Sequence, residues 1–228
     1  MELGSRILQV GRLKLQLFLI SVAILSACSQ NSTRETTLLS QAVDGNTSAQ
    51  VILGMMYASG DGVSKDLDKA IAWYREAAKQ DSVIAQYNLG MILLKREGFI
   101  EDRAKAVYWL KKAADQGLAD AQFNLGLIYK HGKGVEVDVE TAISWTKKAA
   151  QQGYFKAQYN LAVWYGTGSG VESNDQEAFF WYLKAAKHGH KSAGIIVAGR
   201  YMTGIGVAKD RTRGLAWMLT VDHPHARE

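Results

Sequence analysis

The sequence repeats itself every 36 residues, and this period constrains the fold more than any other feature. Alanine recurs at one phase of the period, as Ala49, Ala85, Ala121, Ala157 and Ala193. Tryptophan recurs at another phase, as Trp73, Trp109, Trp145, Trp181 and Trp217. A fixed period of this length is typical of an array of small helical units, each of which buries its apolar side against its neighbours.

The first half of each repeat has the pattern of a helix that ends at glycine. In the third repeat, Ala121, Leu125 and Tyr129 follow one another at intervals of four residues, which is a helical spacing. A short loop with two glycines and a valine, Gly132–Val135, comes next. The first of these glycines fits a helix C-terminus, where the left-handed backbone conformation strongly favours a residue without a Cβ.

The second half of each repeat has the pattern of another helix. Ala142, Trp145 and Ala149 share one helical face in the third repeat. An Asp or Asn recurs before this helix, where its side chain is expected to cap the free backbone amides. These residues are Asp66, Asp102, Asp138, Asn174 and Asp210. The sequence therefore predicts an all-α fold, an α/α solenoid of five 36-residue helix-turn-helix repeats. Their predicted ranges are 49–84, 85–120, 121–156, 157–192 and 193–228.

Over residues 49–221 the pattern A-x-x-x-L-G-x-x-Y-x-x-G-x-G-V-x-x-D-x-x-x-A-x-x-W-x-x-x-A-A-x-x-G resembles the Sel1-like repeat family, which is related to the tetratricopeptide repeats. The second repeat departs from it, because Arg96-Glu97-Gly98-Phe99 replaces the usual Gly-x-Gly-Val loop. The fifth departs as well, with Gly194-Ile195 in place of glutamine and an aromatic residue. The resemblance implies a solenoid that presents an extended surface to another molecule.

The N-terminus has the pattern of a secretory signal. Residues 15–27 carry no charge, a run of signal-peptide length and shorter than the roughly 20 residues of a membrane-spanning helix. The basic residues that precede it are Arg6, Arg12 and Lys14. The run ends in Leu25-Ser26-Ala27-Cys28, which is similar to the bacterial lipobox. The resemblance implies a lipid on Cys28, the only cysteine, with ordinary cleavage or an uncleaved anchor as the alternatives.

These features predict four segments and a location. Residues 1–27 are predicted to be a lipoprotein signal peptide, 28–36 a flexible tether, 37–48 an N-terminal capping helix, and 49–228 the solenoid. By resemblance to the sorting signals of Gram-negative lipoproteins, Ser29 after the cysteine favours the outer membrane over the inner one. The predicted location is the cell envelope, with the chain lipid-anchored and facing the periplasm.

Two features are candidates for partner binding. Asn88, Asn124 and Asn160 recur at one phase beside aromatic residues, and would form a row of amides along the first helices, suited to an extended peptide backbone. The alternative is that they only connect successive repeats. Trp164 is the one tryptophan outside the 36-residue period. It is either a surface anchor, since tryptophan is enriched at binding hot spots, or a residue that fills the core.

Other site chemistries have little support in the sequence. The histidine pairs are His188 with His190 and His223 with His225, and neither has the further ligands that a zinc site needs. The Gly-x-Gly loops follow helices rather than strands and lack the dinucleotide-binding pattern. A formal net charge of +5 is too small to indicate nucleic-acid binding. We expect no metal, no cofactor and no catalytic residue, and contact with the membrane only through the lipid.

The sequence therefore predicts a non-catalytic, periplasm-facing lipoprotein that binds a protein partner through its solenoid. The resemblance implies two roles, an envelope adaptor or an immunity protein that neutralises a phospholipase effector of type VI secretion. The alternative from another class is an enzyme or receptor that acts on peptidoglycan or a β-lactam. Such a protein would need a pocket with converging polar groups.

Overall fold

The computed structural model describes residues 33–96 and 100–222, which form eleven α-helices and no strand. The helices are α1 (33–43), α2 (Thr47–Ser59), α3 (Leu67–Lys79), α4 (Val83–Lys95), α5 (Ile100–Asp115), α6 (Ala119–His131), α7 (Val139–Gln151), α8 (Phe155–Thr167), α9 (Asp175–Lys187), α10 (Lys191–Thr203) and α11 (Arg211–Asp222). Helices α2 to α11 are the first and second helices of five successive repeats. The all-α prediction is confirmed.

The first helix extends into the segment that was predicted to be a tether. Residues 33–36 are helical, so the boundary at 36 is wrong for this stretch. The hydroxyl of Tyr57 on α2 donates to Oε1 of Glu35 at 2.6 Å, and this hydrogen bond links the N-terminal part of α1 to α2. Ala42 at the other end of α1 is 1 % exposed, and α1 ends at residue 43 rather than at the predicted 48. Asn46 then begins α2, where its Oδ1 accepts from the amide of Ala49.

Side-chain caps begin most of the second helices, as predicted. The carboxylates of Asp66 and Asp138 and the amide oxygen of Asn174 each accept from a backbone amide of the following turn. The prediction is wrong for Asp102, because α5 begins two residues earlier, at Ile100. The loop before α5 lacks the usual glycine pattern, and the helix has 16 residues where its counterparts have 12 or 13.

Glycine ends four of the first helices. Gly60, Gly132, Gly168 and Gly204 have φ between 65° and 86°, in the left-handed region. Each donates its amide to the carbonyl four residues earlier. Because a Cβ is strained at this φ, the recurrence of glycine here is a backbone requirement.

Backbone contacts divide the chain into an N-terminal part, through Ala85, and a C-terminal part, from Gln86. In the N-terminal part, α2 packs on α3 around Leu53, Ala70 and Tyr74. In the C-terminal part, consecutive helices from α5 to α11 pack on one another. The side chains of Leu89, Leu125, Leu161 and Val197 have no exposed surface there. Full burial of one such side chain contributes about 2 kcal/mol to stability.

The second glycine of each loop in the C-terminal part lies against the preceding repeat. A Cβ on Gly134 would lie 2.6 Å from Cβ of Arg103, and one on Gly170 would lie 2.4 Å from Cγ1 of Val139. At Gly206 it would overlap the backbone carbonyl of Asp175. The Gly-x-Gly pattern thus has two causes: the first glycine ends a helix, and the second allows close packing between repeats.

The predicted signal peptide and Cys28 lie outside the described residues. In the part of the chain that is described, no helix is both long enough and apolar enough to cross a membrane.

Candidate protein-binding surface

Buried glutamines recur on the first helices, and we call this set the glutamine ladder. Gln50, Gln86, Gln122 and Gln158 recur every 36 residues and are at most 5 % exposed. In the C-terminal part, Nε2 of Gln122 donates to the carbonyl of Ala114 at 3.1 Å, eight residues earlier. Its Oε1 accepts from Nε2 of Gln152 at 2.8 Å, thirty residues later. Gln122 thereby links α5, α6 and α7, and both ends of its buried amide are hydrogen-bonded.

The arrangement recurs around Gln158, with His188 in place of the second glutamine. Nε2 of Gln158 donates to the carbonyl of Ala150 at 2.9 Å, but its Oε1 faces Nδ1 of His188 at 3.0 Å. Because the carbonyl of Lys184 also lies 3.0 Å from this nitrogen, Nδ1 of His188 carries a hydrogen. Gly194 occupies the ladder position in the fifth repeat. The recurrence of glutamine at two phases was visible in the sequence, and its role was not predicted because a polar residue is not expected in the core.

The predicted asparagine row lies half-buried on the first helices, where Asn88, Asn124 and Asn160 are partly exposed. Nδ2 of Asn124 donates to the backbone carbonyl of Asp120 at 2.8 Å and lies 3.3 Å from the hydroxyl oxygen of Tyr87. One member of the row therefore does connect successive repeats. Within the described residues, the side chains of Asn88 and Asn160 make no hydrogen bond, so their amides are available to a partner.

An aromatic row lies beside the asparagines. Its members Tyr87, Phe123 and Tyr159 are half-buried, and together with Asn88, Asn124 and Asn160 they define what we call the amide–aromatic face. The ring of Phe123 lies 5.3 Å from that of Tyr154, the N-cap residue of the next first helix. The ring of Tyr159 stacks on that of His190, the following N-cap residue, at 4.1 Å and 9°. The rings thus pack between repeats and still present surface to solvent.

The phenols of Tyr87 and Tyr154 are neutral at physiological pH. Burial raises the pKa of Tyr87, and the nearby Asp120 carboxylate raises it further. Burial also raises the pKa of Tyr154, whose hydroxyl donates to Oδ1 of Asp120 at 2.7 Å. The carboxylate of Asp120 is thereby occupied by an internal hydrogen bond.

His190 makes this end of the face sensitive to pH. Its Nδ1 accepts from the amide of Ala193 and caps α10, while burial lowers the pKa of the imidazole below the usual 6.5. The folded state therefore prefers the neutral ring. As the pH falls below about 6.5, the unfolded state takes up the proton more readily, and stability is lost.

We expect chemical denaturation at pH 7.5 and pH 5.5 to show this loss in the native sequence. His190→Asn, which keeps a capping oxygen but does not titrate, should reduce the difference between the two pH values. An unchanged difference would show that other groups cause the acid sensitivity.

Trp164 is not a surface anchor. Its side chain is 7 % exposed and belongs to the hydrophobic core of the C-terminal part. The equivalent residues of two other repeats are also buried, since Met56 is 3 % exposed and Ile128 is 2 % exposed. Of the two interpretations of this residue, the core-filling one holds. Lys130 lies over the ring, with Nζ 5.2 Å from its centroid.

The second helices carry lysines over aromatic rings. Nζ of Lys148 lies 4.0 Å from the ring centroid of Trp145, and Nζ of Lys184 lies 4.6 Å from that of Phe180. Lys147 is exposed. Lys147 and Lys148 thus lie on a solvated face of the second helices, apart from the amide–aromatic face on the first helices. Among the described residues, no group of three or more His, Cys, Asp or Glu side chains is arranged to hold a metal ion.

The described chain is thus a solenoid of helix hairpins connected by buried amides. The sequence model of the Sel1 repeat matches residues 47–82, 83–118, 119–154, 155–190 and 196–220, and the chain belongs to this family. Its first four repeats begin two residues earlier than the ranges predicted from the period. Sel1 repeats form a protein-interaction fold.

Two crystal structures are similar over most of the chain. A protective antigen from uropathogenic Escherichia coli, described as displaying an SLR fold, is 35 % identical with a TM-score of 0.77; the match covers 82 % of this chain and 40 % of the antigen. A Sel1 repeat protein from Oxalobacter formigenes is 31 % identical with a TM-score of 0.68, covering 79 % of this chain and 74 % of that one. This chain therefore spans less than half of the Escherichia coli antigen. A search of curated proteins finds no match.

Proposed function

We propose that this protein is a non-catalytic lipoprotein that binds a protein partner through the amide–aromatic face. The proposal rests on the hydrogen bonding of the asparagine row. Asn88 and Asn160 keep unpaired amides on a half-exposed face, whereas the recurring glutamines are buried and satisfied. An amide both donates and accepts, so it suits the alternating donors and acceptors of a peptide backbone.

The aromatic rings beside the amides support the same surface. Tyr and Phe contribute large contact area at low entropic cost, and such residues are enriched at interfaces. The rings on this face are already held by their neighbours, as in the stacked pair of Tyr159 and His190. Less conformational freedom is then lost when a partner binds.

The test is capture of a partner from the cell envelope by the full-length, C-terminally tagged protein. The double variant Asn88→Ala with Asn160→Ala should lower partner recovery at least about tenfold, because two hydrogen-bonding groups at an interface are lost. The matched control is Lys147→Ala with Lys148→Ala on the outer face, which should recover the partner normally. Equal recovery with both variants would contradict the proposed face.

The captured protein also distinguishes the two roles implied by the family. A phospholipase whose activity is blocked by the purified protein would establish an immunity role. A structural component of the envelope, recovered without enzyme inhibition, would establish an adaptor role.

We further propose that a lipid on Cys28 holds the protein at the periplasmic face of the outer membrane. Metabolic labelling with a palmitate analogue should label the native protein and leave Cys28→Ala unlabelled. Fractionation should show that the variant is lost from the outer membrane, because the lipid is the proposed anchor there. Equal labelling of both proteins would exclude this anchor.

A further inference from the structure

The first helices of the C-terminal part carry almost no negative charge. Over α4 from Gln86, α6, α8 and α10, Asp120 is the only acidic residue. The basic residues of the same helices are Lys95, Lys130, Lys156, Lys191 and Arg200. Five positive charges against one negative charge therefore give these helices a net positive charge, although the carboxylate of Asp120 remains an anion.

Three of these cations, Lys95, Lys156 and Lys191, have no ion-pair partner among the described residues, and the last two lie at the starts of α8 and α10. Arg200 pairs with Asp175 at 3.0 Å, and Lys130 donates to the backbone carbonyl of Ser169. Lys156 and Lys191 are exposed, and neither has an acidic partner within the described residues. Lys156 lies one helical turn before Asn160 on α8, so the free charge and the free amide are neighbours on one face.

A glycine on α10 provides a second, independent observation. Gly199 lies in the interior of the helix and is exposed, and a Cβ built on it would meet no atom within 4 Å. Glycine in such a position costs stability relative to alanine, and no packing against the described residues explains it. The other repeats carry Met91, Leu127 and Val163 at the same phase. The missing side chain leaves room on this face for the backbone of another molecule.

We propose that the surface formed by Lys156, Asn160, Lys191 and Gly199 binds an acidic, extended segment of the protein partner. Its carboxylates pair with the two lysines, its backbone bonds to the amide of Asn160, and the chain passes over Gly199. This inference depends on the proposed function and specifies the chemistry of the partner.

The direct test is fluorescence anisotropy with the purified full-length protein and two labelled peptides of about twelve residues, which are about 40 Å long when extended. One peptide alternates Glu with Ser and Phe, and the other has Lys in place of each Glu. The acidic peptide should bind at least about tenfold tighter, and the difference should shrink at high salt. Lys156→Ser with Lys191→Ser should weaken the acidic peptide about fivefold, and Lys147→Ser with Lys148→Ser should leave it unchanged.

Gly199→Leu separates binding from folding. Leucine is a good helix former and occurs at this phase as Leu127, so the variant should raise the melting temperature by about 2–4 °C. The same variant should weaken the acidic peptide about tenfold, because the side chain fills the space of the partner backbone. A variant that is more stable and binds normally would overturn the role of Gly199.

Two further outcomes would overturn the proposal. The first is equal affinity for both peptides; if partner capture still depends on Asn88 and Asn160, the proposed function stands and only the acidic specificity is wrong. The second is lysine-dependent binding to phosphatidylglycerol vesicles without binding of the acidic peptide, which would assign the surface to a membrane.

Discussion

Gln122→Ala is expected to lower the free energy of unfolding by about 3 kcal/mol. The substitution removes the hydrogen bond to the carbonyl of Ala114 and the one from Nε2 of Gln152. Each bond contributes about 1 kcal/mol, and the lost side-chain volume leaves a cavity that adds a further cost. The side chain is 5 % exposed, so water does not readily take its place.

Chemical denaturation measures this effect, and two variants separate its causes. Gln122→Met keeps most of the volume without the hydrogen bonds, and should lose about 1–2 kcal/mol. Gln151→Ala changes an exposed glutamine and should stay within about 0.5 kcal/mol of the native sequence. If Gln122→Ala lost less than about 1 kcal/mol, the glutamine ladder would not be a major source of stability.

Gly126→Ala is expected to destabilise the fold by about 2 kcal/mol, although alanine is the better helix former. A Cβ at this position would overlap Oγ1 of Thr146 and lie 3.0 Å from the carbonyl of Ala142. Thr146 has no exposed surface, and its hydroxyl donates to that same carbonyl at 2.8 Å. The added methyl group therefore forces the threonine to move and breaks a buried hydrogen bond.

A double-mutant cycle tests this mechanism. Thr146→Ala removes the clashing hydroxyl, so the double variant should be more stable than the sum of the single effects predicts by about 1 kcal/mol or more. Gly199→Ala is the matched control, because that helical glycine has open space around it, and it should gain about 0.5–1 kcal/mol. Additive effects of Gly126→Ala and Thr146→Ala would show that the two residues do not clash.

Much of the fold could be predicted from the sequence. The helical spacing of Ala121, Leu125 and Tyr129 and the glycine at position 132 each reflect local geometry that one repeat displays on its own. Repetition strengthens these signals, because each is sampled several times at the same phase. The repeat helices and their glycine C-caps accordingly lie where the pattern placed them, whereas the bounds of α1, which precedes the repeats, do not. Asp102 is the exception, in the one repeat whose loop departs from the pattern.

The candidate site depended on contacts that no single repeat contains. Whether Trp164 faces solvent or core, and which asparagines keep a free amide, follow from packing against neighbouring helices. The buried glutamines could not be predicted for the same reason, because a polar side chain is stable in the core only when groups on other helices form hydrogen bonds with it.

By itself, the sequence determined the all-α repeat architecture and the family, because periodicity and local backbone preferences are properties of the chain alone. Tertiary structure alone decided which polar groups are satisfied internally and which remain open on the amide–aromatic face. The physical reason is that hydrogen-bond satisfaction and burial depend on distances between different helices, which the local sequence of one helix does not set.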